Sequence, residues 1–169
     1  SITATELNNT GNIEALTAQI TAQTLHNSGQ ILGAETQSGT DALSITATQL
    51  NNTGALISRG EYFTLSGISI NNQSGQILHF GTGVFDIDTL SALNNQSGLL
   101  YSDGAFTLST VALDNTQGRV LTQSLDIQAN EIINHSGVLQ AQQTLAIQAN
   151  TLQNEAGLIT LDSPQVEAN

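Results

Sequence analysis

One phrase recurs along this chain at intervals close to twenty residues, and no other feature restricts its fold as strongly. It consists of an apolar residue, any residue, Asn, a short stretch often containing Thr or Ser, and Gly. It stands as LNNTG from Leu7, LHNSG from Leu25, LNNTG from Leu50, INNQSG from Ile70, LNNQSG from Leu93, LDNTQG from Leu113, IINHSG from Ile132 and LQNEAG from Leu152. The asparagines are Asn9, Asn27, Asn52, Asn72, Asn95, Asn115, Asn134 and Asn154, spaced 18, 25, 20, 23, 20, 19 and 20 residues apart. Self-similarity at a fixed short period marks a solenoid, in which every repeat is one structural unit stacked on the next.

Between the phrases the apolar residues alternate with polar ones, as in LSITATQL, FTLSGISI, LDIQANEI and LAIQANTL. Period-two alternation reads as strand with one buried face, and Gly and Asn at these frequencies weaken any helix. After each Gly a second apolar position recurs: Ile13, Ile31, Leu56, Ile77, Leu100, Val120, Leu139 and Ile159. A third runs through Ile2, Ile20, Ile45, Leu65, Ile87, Leu108, Ile127, Ile147 and Val166. Strands this short, without connecting helices, have room to pair only with the equivalent strand one repeat away. The expected fold is all-β, a single-stranded parallel β-helix of about eight coils of ~20 residues. With strands about 4.8 Å apart, eight coils give a rod roughly 38 Å long.

Two irregularities interrupt the period. The 25-residue step holds GAETQSGTD, Gly33 to Asp41, which predicts a protruding loop; in FDIDTLSAL, Phe85 and Ile87 fall one residue out of phase with Leu93, which predicts a bulge or widened turn. SITATEL at the start and PQVEAN at the end occupy the same phase of the repeat, and neither supplies a capping helix or charged edge. Residues 1–169 therefore read as one β-helix segment excised from a longer filamentous shaft.

Composition narrows the function. Of 169 residues, 14 are acidic and two are basic, Arg59 and Arg119, for a net charge of −12; there is no Cys. Nucleic acids and acidic membranes are excluded as partners, since both need basic patches. A Lys or Cys nucleophile and a thiolate metal site are excluded for want of the residues. No apolar run is long enough to be a transmembrane segment, and Ser1 does not open a signal peptide.

The phrases LNNTGNI, LHNSGQIL, LNNTGALI, INNQSGQIL and LDNTQGRV, with SITA and DIQAN before them, resemble the haemagglutinin repeats of large bacterial exoproteins secreted by the two-partner route. That family includes filamentous haemagglutinin adhesins and contact-dependent growth-inhibition effectors, and the resemblance covers all eight repeats. It implies a right-handed β-helix projecting from the outer membrane, a secreted or cell-surface location, an outer-membrane secretion partner, and a shaft that presents a distal adhesin or toxin domain. The family's secretion-domain phrases NPNG and NPNL are absent, as is a toxin-like C-terminal region, so the resemblance points to interior shaft.

The chemistry-bearing residues support a non-enzymatic reading without a cofactor. The Asn column is expected to form a structural amide ladder, because eight equivalent copies cannot be one active site. Asp86 and Asp88 share an outward face with Asp126 two coils away, about 10 Å off and too far for one metal or one acid–base pair. His26, His79 and His135 read as solvated residues of a turn, a loop and a turn. Phe63, Phe85 and Phe106 hold the position occupied elsewhere by Leu43, Leu125 and Leu145, which predicts a stacked aromatic column in the core.

One column conflicts with solubility. The alternation that buries Ile31, Leu56, Ile77, Leu100 and Val120 points Leu32, Ile57, Leu78, Tyr101 and Leu121 outward, with Glu14, Gln140 and Thr160 continuing it in the outer coils. Three explanations are open: the 33–41 loop covers the stripe, the strand is buried on both faces, or the stripe is a contact surface, whether lateral contact between rods or a site for another partner. The partners considered are neighbouring coils of a parent protein and a receptor protein or glycan on a target cell. In the last case the segment is itself an adhesive module.

Overall fold

The computed structural model describes residues 1–162. Fourteen strands and no helix make up these residues, and every strand pairing is parallel. Coils alternate a long strand with a short one in the first half of the chain: β1 (Ile2–Asn9), β2 (Asn12–Ala15), β3 (Ala18–Asn27), β4 (Gln30–Gly33), β5 (Asp41–Asn52), β6 (Ala55–Ser58), β7 (Tyr62–Asn71), β8 (Gln76–His79) and β9 (Val84–Asn94). Further along, the corners straighten and strands merge into β10 (Leu99–Ser109), β11 (Ala112–Asp114), β12 (Arg119–Ile133) and β13 (Val138–Gln153), with β14 (Leu158–Leu161) last. Long strands pair with long strands and short with short, one coil away, which makes a parallel β-solenoid of about eight turns. Among the described residues no helix is long and apolar enough to cross a membrane.

Stacking follows from the repeat residue by residue. Ile2 pairs with Ile20, Ile20 with Ile45, Ile45 with Leu65, Leu65 with Ile87, Ile87 with Leu108, Leu108 with Ile127, and Ile127 with Ile147. Val166 lies outside the described residues. The columns from Ile13 to Ile159 and from Leu7 to Leu152 are likewise in register. Apart from Leu152, which is exposed in the last described coil, they form one continuous apolar core. Phe63, Phe85 and Phe106 stack within it with centroid separations of 4.7 and 4.8 Å. That separation is the strand spacing itself, so the solenoid rise sets the ring geometry.

The motif glycine is fixed by close approach. A Cβ at Gly75, Gly98, Gly118, Gly137 or Gly157 would lie 2.1–2.3 Å from the backbone oxygen of the motif Asn one coil earlier. Gly11, in the first coil, has nothing within 4 Å. The turn comes in two forms. Coils one to three use Asn-x-Gly, whereas the later coils use Asn-x-x-Gly closed by a Gly N–H to Asn C=O bond, as from Gly75 to Asn72 at 3.0 Å. The extra residue is Ser74, Ser97, Gln117, Ser136 or Ala156, each left-handed with φ between 52° and 60°.

Both irregularities occur where expected. Residues 34–40 form a loop between β4 and β5, and Ser38 Oγ and the Gly39 N–H donate to the Glu61 carboxylate. Near Leu90 the register passes from Gly67–Thr89 to Ser69–Ala92, so that coil holds one residue more than its neighbour. Leu90 is consequently pushed outward, 74% exposed.

Candidate interaction face and its supporting ladder

The motif asparagines form an unbroken amide ladder. Asn9 Nδ2 donates to Asn27 Oδ1 at 2.7 Å, and the same bond repeats through Asn52, Asn72, Asn95, Asn115 and Asn134 to Asn154 at 2.7–2.8 Å. The second amide hydrogen meets carbonyls of the neighbouring turn, for example Asn52 Nδ2 to Gln76 O at 3.0 Å. Asn9 to Asn134 are buried, while Asn154 at the last described coil is exposed. All seven bonds run in one direction, so their dipoles add along the axis. From Asn9 to Asn134 both amide hydrogens are engaged within the stack, one along the ladder and one on the turn carbonyls.

His79 departs from the sequence reading. It ends β8 with its ring turned inward and buried, not in a solvated loop. Nε2 donates to the carbonyls of Gly60 at 3.0 Å and Glu61 at 3.1 Å, which leaves Nδ1 to accept from Ser102 Oγ at 3.0 Å. Ser102 Oγ in turn accepts the Gly104 N–H at 3.1 Å. Burial pushes the His79 pKa down, against the opposing pull of the two carbonyls and of Asp103. His79 belongs to an inward column with Ser58, Ser102 and Thr122, and the Thr122 hydroxyl is buried without a partner. Of the other histidines, His26 is exposed beside Asn51 and His135 contacts Glu155.

The acids do not converge. Asp86 pairs in register with Thr107, and Thr107 with Asp126, so a threonine separates the two carboxylates. Thr107 Oγ1 donates to Asp86. Asp103 lies within β10, at a one-residue bulge between Ser102 and Ala105. Among the described residues no three His, Cys, Asp or Glu side chains are grouped to hold a metal ion.

The apolar stripe is one continuous column: Glu14, Leu32, Ile57, Leu78, Tyr101, Leu121, Gln140 and Thr160 stand in register. None of its members belongs to the core cluster. Leu32 is 9% exposed and packed down, whereas Ile57, Leu78, Tyr101 and Leu121 are half-buried by their column neighbours. The 34–40 loop is fastened at Glu61, beyond the end of β6.

Two further columns border the stripe and escape a reading based on alternation alone. On one side run Asn12, Gln30, Ala55, Gln76, Leu99, Arg119, Val138 and Leu158. On the other, at the corner two residues past each stripe position, are Arg59, Phe80 and Asp103, with Phe80 45% exposed and its ring 5.7 Å from that of Tyr101. The only sequence signal for this corner column is the constant offset of two. The Tyr101 hydroxyl donates to Asp103, which holds the phenol protonated and raises its pKa. A shallow 150 Å³ cleft beside Tyr101 and Asp103 continues to Gln123, Gln140 and Gln142. Both cations of the chain, Arg59 and Arg119, therefore lie on this face, and among the described residues neither is paired with a carboxylate.

Comparison with protein families, with curated proteins and with solved structures finds no match to this chain.

Proposed function

We propose that this chain is a stretch of the structural shaft of a bacterial secreted or cell-surface exoprotein, a non-enzymatic rod that holds a distal adhesin or toxin domain away from the cell that made it. The reading rests on the continuity of the stack: core columns, glycines and asparagines repeat from coil to coil. In a solenoid, length grows with each added repeat because every coil contacts only its neighbours. The resemblance of the Asn–Gly phrases to haemagglutinin repeats supports the same reading and brings with it an outer-membrane secretion partner. The direct test exchanges the segment, within its parent protein, for an equal number of coils of an unrelated β-solenoid. Retained presentation of the distal domain is expected; its loss, with secretion intact, contradicts a purely structural role.

The half-buried apolar stripe favours a second reading, in which the segment is itself an adhesive module for a receptor protein or glycan. Glycan and protein arrays probed with the isolated segment separate the two, since a shaft gives no specific signal.

A further inference from the structure

The apolar stripe is nearly palindromic along the rod axis, and the centre of the palindrome is the coil that carries Leu78. Reversing the stripe about that coil places Leu32 opposite Leu121, Ile57 opposite Tyr101, and Leu78 opposite itself, with Glu14 facing Gln140 at the rim. The same reversal applied to the corner column brings Arg59 opposite Asp103 and Phe80 opposite itself. In the remaining column it brings Gln30 opposite Arg119 and Ala55 opposite Leu99. Two face-to-face sheets related by a two-fold axis along the strand direction meet in this way, because each column then lies over its own copy with the axis reversed.

We propose that this face is a self-docking surface, on which a second copy of the chain packs face to face and antiparallel about a two-fold axis through Leu78 and Phe80. Charge selects this occupant. The chain carries a net charge of −12, so most of its surface repels a second copy, yet the only acid on the two strand columns of this face is Glu14. Its rim carries both arginines, and the reversal sets Arg59 of each copy against Asp103 of the other, giving two symmetric ion pairs around an apolar centre. Apolar centre and polar rim are the ordinary anatomy of an interface. The face is about 13 Å across and 38 Å long from the strand dimensions. Two copies would bury on the order of 1,000 Å², the low end for specific association. The dimer is accordingly weak, and it brings shafts together side by side rather than extending them.

The test uses sedimentation of the chain across a wide concentration range. The unaltered chain should form a closed dimer that tightens as salt screens the overall repulsion. Arg59→Asp and Asp103→Arg place like charges across the two-fold, and each should weaken association about tenfold. The double variant exchanges the pair and should recover dimerisation to within about threefold of the unaltered chain. Both positions are exposed, and thermal melts of the variants confirm that the fold is kept. Asp126→Arg, on another face, should leave the constant unweakened. A chain monomeric at millimolar concentration, open-ended growth in place of a closed dimer, or single and double charge variants that weaken association alike would each overturn the proposal. Array binding to a glycan or a different protein that Leu78→Asp abolishes, with no self-association at any concentration, would assign the face to that other occupant and also overturn it.

Discussion

Gly11 and Gly118 hold the same place in the repeated phrase, but only Gly118 has a coil beneath it. A methyl group at Gly118 would meet Asn95 O at 2.1 Å and Asn115 Oδ1 at 2.5 Å, whereas at Gly11 it would meet nothing within 4 Å. Gly118→Ala should therefore cost about 2–3 kcal/mol through forced overpacking while Gly11→Ala leaves stability nearly unchanged, as denaturant melts of the two variants would show. Asn115→Ala removes two rungs of the ladder and leaves Asn95 Nδ2 and Asn134 Oδ1 without their partners. With a desolvated, unpaired group costing about 1–3 kcal/mol, the loss should be on the order of 2–5 kcal/mol by denaturant melting.

His79 predicts a pH dependence with a definite sign. Burial lowers its folded-state pKa below the ordinary 6.5, so the unfolded chain binds more protons in mildly acidic solution. Its contribution to stability is complete above the unfolded value and is lost as pH falls below 6.5 and through the folded one. Asp41 acts in the opposite sense, because burial raises its carboxyl and protonation then favours the folded state. Comparing the chain with His79→Ser isolates the histidine: between about pH 7.5 and pH 5 the melting temperature of the unaltered chain should fall more steeply than that of the variant. Equal slopes would show that His79 titrates alike in both states.

At the scale of the element, a strand in this molecule is defined by its partner one coil away, and most of the fold is legible for that reason. Ile127 is buried between Leu108 and Ile147 of its own column, so three copies of the pattern report the same orientation. His79 looks like a loop residue by polarity, yet it continues the alternation that buries Ile77 and stands in line with Ser58 and Ser102, so its inward direction was legible. Arg59 and Phe80 follow strand ends and Asp103 sits at the bulge within β10, where period two no longer says which way a side chain points. The left-handed residues Ser74, Ser97, Gln117, Ser136 and Ala156 are not glycines, so composition gave no sign of them. The extra residue near Leu90 was legible as a phase slip, and its weight can be measured. The adjoining coils close that corner with one residue fewer, so deleting Leu90 should change stability by no more than about 0.5 kcal/mol. A larger loss would mean that the widened turn holds the coil in place.

Seen whole, the molecule is a stack whose length is set by how many repeats it contains. That property underlies the proposed shaft, and it would be lost if the coils formed a closed globule. Residues 2 and 147 share one column seven coils apart, so inserting a second copy of residues 2–146 ahead of Ile147 keeps every column in phase. Seven further coils at the strand spacing add about 34 Å along the axis and nothing across it. Small-angle X-ray scattering of the original and lengthened chains, each at a concentration where it is monomeric, measures both dimensions. The account predicts a maximum dimension longer by about 34 Å with an unchanged cross-sectional radius of gyration. A cross-section that grows, with a maximum dimension that rises only as the cube root of mass, would contradict it.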